Sequence, residues 1–122
     1  MASTVEFPGM TLLHNPRCSK SRAAKALLEE RGVRFHERRY LDEPLSRGEL
    51  EALHARLGRS PREWIRSKEA DYAAAGLNAA SSDAQLLDAI AAHPALLERP
   101  ILVDSARAAL GRPPESILAI LQ

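Results

Sequence analysis

The chain has 122 residues, of which 45% are hydrophobic and 27% charged, and its formal net charge is +1. This length and composition predict one folded domain with a single core, and they argue against general disorder. The nearly balanced charge predicts no strong binding to nucleic acid or to an anionic membrane, and no stretch reaches the roughly 18 apolar residues of a membrane helix.

The N-terminal residues 1–9 lack the basic and apolar regions of a secretion signal. We therefore expect them to form a flexible extension, followed by a single cytoplasmic domain over residues 10–122. The compact apolar run Met10–Leu13 predicts that this domain begins with a buried strand.

The stretch from His14 to Arg22 joins that strand to a predicted helix over about Ser21–Arg31, which Gly32 would end. It contains Cys18, the only cysteine of the chain. At the start of a helix, unpaired N–H groups and the helix dipole favour negative charge, so they favour a thiolate and can hold an oxyanion. Because basic residues surround the cysteine, we infer a reactive thiolate beside an anion-binding site. The alternative is an inert buried thiol, since free cysteines are among the most buried residues.

The single cysteine also constrains the chemistry. No disulfide can form within the chain, which fits the reducing cytosol, and a redox cycle at Cys18 would need a second thiol from another molecule. Glutathione, a glutaredoxin or another small thiol is the economical candidate. We expect no metal site, because no Cys/His cluster has ligand spacing and the histidines are scattered: His14, His36, His54 and His93.

Further along the chain, the residue pattern predicts a small α/β sheet with helices on its faces. Residues 33–41 predict a second strand, and residues 71–81 a mobile loop with some helical character. The C-terminal part predicts two strands, 100–103 and 106–110, and a closing helix over 114–121. Three helix starts fit the capping-box pattern S-x-x-E/Q, in which the two side chains satisfy free N–H groups at the helix N-terminus: Ser46 with Glu49, Ser60 with Glu63, and Ser82 with Gln85.

The loop sequence HNPRCSKSR resembles the active-site loop of the glutaredoxin-coupled arsenate reductases, which carry the pattern His-Asn-Pro-x-Cys-x-x-Ser-Arg. Such similarity extends over about residues 10–122 and is far more specific than one short motif. It continues in order through Tyr40-Leu41, Pro44, Ser46-Arg47-x-Glu49-Leu50, Arg66, Gly76-Leu77, His93-Pro94, Arg99-Pro100-Ile101 and Arg112-Pro113. The resemblance implies a thioredoxin-like fold with a helical insertion between its two halves.

The resemblance also implies roles for individual residues of the loop. Cys18 would attack the arsenic atom of arsenate, and His14 would support the thiolate by charge or by hydrogen bonding. For Ser21 two roles stay open: a hydrogen bond to the thiolate, or a place in the loop as a helix cap. Asn15 and Pro100 would shape the site, with Pro100 in a cis peptide bond facing the thiol.

Three arginines at the boundaries of apolar segments, Arg66, Arg99 and Arg112, align with those that bind arsenate and its product in that family. Planar guanidinium groups suit a tetrahedral oxyanion, because they donate paired, charge-assisted hydrogen bonds. The implied partners are arsenate or a similar oxyanion, glutathione as co-substrate, and a glutaredoxin. We expect no tightly bound cofactor and a monomeric protein.

Two other interpretations stay open. Cys18 and Ser21 also form the Cys-x-x-Ser arrangement of monothiol redox proteins, which act on glutathionylated proteins and need no set of arginines. The other is a non-enzymatic regulator of the same fold that binds RNA polymerase. At this loop such a regulator resembles a Cys-x-x-Cys redox switch. This chain departs from that pattern, because Ser21 stands at the position of the second cysteine.

Overall fold

The computed structural model describes Phe7 and residues 9–121 of the chain. Within that range a mixed sheet is formed by the strands β1 Thr11–His14, β2 His36–Arg39, β3 Ile101–Val103 and β4 Ala108–Leu110. Their order across the sheet is β2-β1-β3-β4. Strand β1 runs parallel to β2 and antiparallel to β3, and β4 runs antiparallel to β3. The predicted mixed α/β sheet is confirmed.

Helices pack against this sheet and fill the interval between its halves. The α-helices of the described residues are α1 Ser19–Glu30, α2 Arg47–Leu57, α3 Ala70–Ala74 and α4 Asp83–Ala92, and 3-10 helices occupy Pro61–Glu63, Pro94–Leu96 and Pro114–Leu121. Helices α2 to α4 lie between β2 and β3 in the chain, so the predicted helical insertion is confirmed. The closing helix is present over its predicted range, in the 3-10 form.

Strand β1 is buried because its side chains alternate between two hydrophobic clusters on opposite faces of the sheet. Leu13 packs in the larger cluster, which includes Trp64 and the apolar side chains of the insertion. Leu12 packs in the other cluster with Leu28 of α1 and Ile117 of the closing helix. All residues of β1 are buried. A short, mostly apolar run is therefore enough to predict this strand.

The capping boxes predicted for α2 and α4 both form. At α2, the Glu49 N–H donates to Ser46 Oγ at 3.1 Å, and the Ser46 N–H donates to the Glu49 carboxylate at 2.9 Å. At α4, the Gln85 N–H donates to Ser82 Oγ at 3.2 Å, and the Ser82 N–H donates to the Gln85 side-chain oxygen at 2.7 Å. Helix α2 ends at Gly58, which has a φ of 65° and fits the left-handed conformation common after helices.

The helix predicted from Ser60 and Glu63 is wrong, because only one 3-10 turn forms there. Trp64 follows this turn and is fully buried. Ile65 then pairs with Leu97 in an antiparallel β-bridge. Burial of the large indole and pairing with a distant segment outweigh the local helix signal.

Residues 71–81 form a short helix and turns, and the mobility predicted for this segment stays a prediction. The segment includes most of α3, so its predicted helical character is confirmed. Arg62 fixes the remainder: its guanidinium donates to the Tyr72 hydroxyl at 2.7 Å, to the Ser81 carbonyl at 2.9 Å and to the Asn78 carbonyl at 3.2 Å. The Arg62 side chain, which lies outside the segment, thus holds a structure that the sequence of the segment does not indicate.

Phe7, inside the extension predicted for residues 1–9, is 2% exposed and belongs to the larger hydrophobic cluster. The flexibility of the rest of the extension stays a prediction. Residues 1–6 and 8 lie outside the described part of the chain. Strands β2 and β4 are shorter than predicted. Before β4, the N–H groups of Ala106 and Arg107 donate to the Asp104 carboxylate and form a turn.

Glu37 on β2 forms ion pairs with Lys25 of α1 at 2.8 Å and with Arg39 at 2.7 Å. Hydrogen bonds from Lys25 and then from Arg39 lower the pKa of Glu37 from an ordinary value of 4.5 to about 2. These pairs therefore stabilise the fold fully at pH values above about 4.5, and their contribution is lost as the pH falls towards 2. We expect Glu37→Gln to lower the free energy of unfolding at pH 7 by about 1 kcal/mol, because solvent screens partly exposed pairs.

Urea denaturation at pH 7, 4.5 and 3 would measure this difference between wild type and Glu37→Gln, which should shrink as the pH falls. Glu51→Gln is the matched control, because the Glu51 side chain is 60% exposed in its pair with Arg47. A difference that stays constant from pH 7 to pH 3 would contradict the prediction.

Candidate active site

Cys18 lies at the N-terminus of α1, the position at which the sequence predicts a reactive thiol. Its N–H donates to the Asn15 carbonyl at 3.0 Å, and its carbonyl accepts from the Arg22 N–H at 2.9 Å, which closes the turn between β1 and α1. The helix begins at Ser19, slightly earlier than predicted, and its first turn has no acidic residue. Among the described residues the Cys18 side chain caps no N–H group, and it is partly exposed. The helix N-terminus can therefore act on a thiolate or on a bound anion.

Ser21 connects the two ends of this turn from the protein interior. It is fully buried, its Oγ lies 2.7 Å from His14 Nδ1, and the same oxygen accepts from the Asn15 N–H at 3.0 Å. These hydrogen bonds hold the loop rather than the Cys18 thiol. Ser21 is not a helix cap, because α1 begins before it. Of the two roles open for Ser21, its contacts favour the place in the loop.

His14 is 2% exposed, and burial lowers its pKa, while the charge of Glu37 acts in the opposite direction. The imidazole is therefore mostly neutral near pH 7. A neutral ring can orient Ser21 through a hydrogen bond, but it cannot support a thiolate by charge. The hydrogen bond that His14 makes goes to Ser21 Oγ, and its support of the Cys18 thiolate stays a prediction.

We expect Ser21→Ala to lower the free energy of unfolding by about 1–3 kcal/mol, because it leaves the buried His14 nitrogen and the Asn15 N–H without this partner. Ser19→Ala is the matched control, since Ser19 is exposed at the start of the same helix. Urea unfolding would measure the change, and the rate of Cys18 alkylation by iodoacetamide would show whether the loop has moved. Equal stability of the two variants would contradict the predicted role.

Tyr40 links the cysteine loop to the predicted arginines, although the sequence analysis did not assign it to the site. Its side chain is 2% exposed. Burial raises the pKa of Tyr40, and the positive charge of Arg66 and the Asn15 side chain, which lies close to the hydroxyl, oppose this effect. Charges on Cys18 and Glu98 also act on the Tyr40 hydroxyl, so both halves of the site lie within electrostatic reach of it. The family resemblance includes Tyr40-Leu41, and this is the sequence signal that could have identified Tyr40.

The structure brings Arg66, Arg99 and Arg112 together in one arginine cluster. Arg99 precedes β3 and Arg112 follows β4, and Arg112 Nε donates to the Arg99 carbonyl at 3.3 Å. Arg66 comes from the insertion. Main-chain hydrogen bonds of 2.7 and 3.0 Å join the segment around Arg66 to the segment that contains Glu98. Three arginines that are far apart in the sequence thus lie close together, and two of them, Arg66 and Arg112, line one pocket.

Glu98 lies in the middle of the arginine cluster, and the sequence analysis missed it because an oxyanion site is sought through its cations. Its Oε1 atom lies 2.9 Å from Arg112 Nη2 and 3.7 Å from Arg66 Nε. The same oxygen accepts from the Arg99 N–H at 3.3 Å. A second carboxylate, Glu69, pairs with Arg66 Nη1 at 2.7 Å. One oxygen atom of Glu98 therefore contacts the guanidinium groups of Arg66 and Arg112 and the main-chain N–H of Arg99.

An open pocket of about 340 Å³ lies against the arginine cluster. Its lining residues are Ile65, Arg66, Ser67, Lys68, Glu98 and Arg112. The Nε and Nη1 atoms of Arg99 are buried and have no hydrogen-bond partner among the described residues. Buried unpaired donors are costly, so an acceptor that reached Arg99 would be favourable, although Arg99 is not among the residues that line this pocket. The pocket has the charge and polarity that suit a small oxyanion.

Pro100 follows a cis peptide bond, as the resemblance implies, and so does Pro113. Gly111 lies directly against Pro100: its N–H donates to the Pro100 carbonyl at 2.8 Å, and a Cβ on Gly111 would lie 2.6 Å from Pro100 Cγ. Only glycine fits this close approach. The orientation of Pro100 towards the thiol stays a prediction.

Among the described residues, no group of three or more His, Cys, Asp or Glu side chains is placed to bind a metal ion. In the same part of the chain, every helix is too short or too polar to span a bilayer.

The mixed sheet, its helical insertion and the cysteine at the start of the first helix define a thioredoxin-like protein with a single thiol. The chain belongs to the ArsC family, whose model matches residues 13–120. It is 49% identical over 117 residues to the arsenate reductase of Neisseria meningitidis, across 94% of this chain and 100% of the relative. It is 42% identical over 112 residues to the arsenate reductase of Haemophilus influenzae, across 90% of this chain and 97% of the relative.

A solved structure of the arsenate reductase from Vibrio cholerae has the same fold. It superposes with a TM-score of 0.85 at 42% identity, covering 91% of this chain and 96% of the other. The predicted thioredoxin-like fold is confirmed.

Proposed function

We propose that this protein is an arsenate reductase that uses glutathione and a glutaredoxin as its source of electrons. The observation that supports this most directly is the pocket lined by Arg66 and Arg112, with Arg99 joined to Arg112 through its main-chain carbonyl. The relatives named arsenate reductases are similar over nearly the whole chain. We place the activity in the cytoplasm, with one chain as the working unit.

In the first step, arsenate binds at the arginine cluster and the Cys18 thiolate attacks arsenic. A sulfur–arsenic bond forms and an arsenic–oxygen bond breaks, and the displaced oxygen leaves as water after protonation. Guanidinium groups and the N–H groups at the start of α1 stabilise the negative charge on the remaining oxygens. Arsenic stays in its pentavalent state throughout this step.

The second step needs a thiol that the chain lacks, because Cys18 is its only cysteine. The sulfur of glutathione displaces another oxygen, again as water, and joins arsenic beside Cys18. A glutaredoxin thiolate then attacks the glutathione sulfur and forms a mixed disulfide with it. The electron pair of the broken sulfur–arsenic bond stays on arsenic, which becomes trivalent. Water releases arsenite and restores the Cys18 thiol.

Arsenate-dependent oxidation of NADPH, in the presence of glutathione, glutaredoxin and glutathione reductase, tests this proposal. We expect a rate that needs arsenate and disappears when either glutathione or glutaredoxin is omitted. A matched assay with thioredoxin and thioredoxin reductase should give no rate. If arsenate has no effect while Cys18 still reacts rapidly with glutathione disulfide, the protein is a monothiol redox protein and the proposal is wrong.

A further inference from the structure

Glu98 has no part in the proposed chemistry, yet it occupies the centre of the arginine cluster. Its side chain is 20% exposed, and it lines the same pocket as Arg66 and Arg112. A carboxylate at this position repels any bound anion, so it opposes the function that the arginines serve. A polar group that weakens binding of every anion can still improve discrimination between two of them.

We propose that Glu98 makes the pocket select oxyanions that carry a proton, such as hydrogen arsenate, and reject fully deprotonated ones such as sulfate. This inference rests on the proposed function, because it assumes that the arginine cluster binds the oxyanion. An ionised carboxylate only accepts hydrogen bonds. Hydrogen arsenate can donate its As–OH group to Glu98, whereas sulfate has no proton at neutral pH and meets Glu98 with repulsion alone.

The contacts of Glu98 fit this role. Among the described residues, its cationic and N–H partners approach Oε1, which leaves Oε2 to accept from a ligand. Arg112 Nη2 at 2.9 Å and the Arg99 N–H at 3.3 Å hold the carboxylate in place. Arginines alone cannot make this distinction, because arsenate and sulfate are both tetrahedral dianions that accept the same forked hydrogen bonds.

The alternative is that Glu98 is only a counter-ion, which any incoming anion must displace. The two roles predict different results for Glu98→Gln, which keeps the size and removes the charge. A counter-ion would weaken arsenate and sulfate binding equally, so its loss would strengthen both by the same factor. A selective acceptor affects the ratio of the two affinities, because sites built to bind a substrate hydroxyl reject analogues that lack it.

Protection of Cys18 against alkylation by iodoacetamide would measure the affinity for each anion without any turnover. Arsenate, phosphate and sulfate would be titrated at pH 7.5 against wild type, Glu98→Gln and Glu69→Gln. Glu69 is the matched control, since it also pairs with Arg66 but does not line the pocket. In wild type we expect arsenate and phosphate to bind at least about tenfold more tightly than sulfate.

We expect Glu98→Gln to reduce this preference by about tenfold, mainly through tighter sulfate binding, whereas Glu69→Gln should leave the ratio unchanged. An unchanged ratio in Glu98→Gln, or equal tightening of both anions, would overturn the inference and leave the proposed function intact. If arsenate fails to protect Cys18 in wild type, the proposed function and this inference are both wrong.

Discussion

Cys18→Ser is expected to abolish arsenate-dependent NADPH oxidation, with a fall in kcat of at least about 10³-fold. Serine matches the thiol in shape, but its hydroxyl is a far weaker nucleophile that the start of a helix cannot ionise at neutral pH. The main-chain hydrogen bonds of Cys18 to Asn15 and Arg22 do not involve the side chain, so the turn should keep its form.

Ser19→Ala is the control for this variant, because it changes the neighbouring exposed side chain and leaves the thiol in place. Calorimetric titration should show that Cys18→Ser still binds arsenate, since the arginine cluster supplies most of the attraction. A residual rate above about one-hundredth of wild type would show that Cys18 is not the nucleophile.

Arg112→Ala is expected to lower kcat/KM for arsenate by about 10²- to 10³-fold. The variant loses a guanidinium group from the pocket. It also removes the closest partner of the Glu98 carboxylate, at 2.9 Å, and so leaves a partly buried negative charge where the oxyanion binds. Both changes raise the free energy of the negatively charged transition state.

Arg112→Lys should recover only part of this loss, because lysine restores the charge but not the planar fork. The double variant Arg112→Ala/Glu98→Gln should be more active than Arg112→Ala, since it removes the uncompensated carboxylate as well. Steady-state kinetics in the coupled assay would test both expectations, with Arg34→Ala as an exposed control outside the pocket. A loss of less than about threefold in Arg112→Ala would contradict its place in the site.

Elements that depend on neighbouring residues could be predicted from the sequence. The capping boxes at Ser46 and Ser82 form as predicted, because both partners lie within one helical turn. The same pattern at Ser60 fails, because burial of Trp64 and pairing with a distant segment determine the local backbone. Local signals are reliable where no tertiary contact competes with them.

The residues of the candidate site likewise fall into those that the sequence predicts and those that it does not. The position of Cys18 at a helix N-terminus follows from a short strand-loop-helix pattern. The clustering of the arginines was implied by the family resemblance alone. Tyr40 could have been assigned only from the resemblance, and no sequence signal identifies Glu98, since its importance arises from contacts with Arg66 and Arg112. The neutral state of His14 likewise depends on burial, which a loop sequence does not reveal.

The contact between Gly111 and the ring of Pro100 has a consequence for the placement of two arginines. It fixes the distance between the ends of β3 and β4, and those ends carry Arg99 and Arg112. The separation of the main-chain positions from which these two side chains extend is therefore set by the hairpin itself. Changes to the surrounding side chains can alter which small anion is preferred, whereas a substitution of Gly111 would move the main chain that carries both arginines.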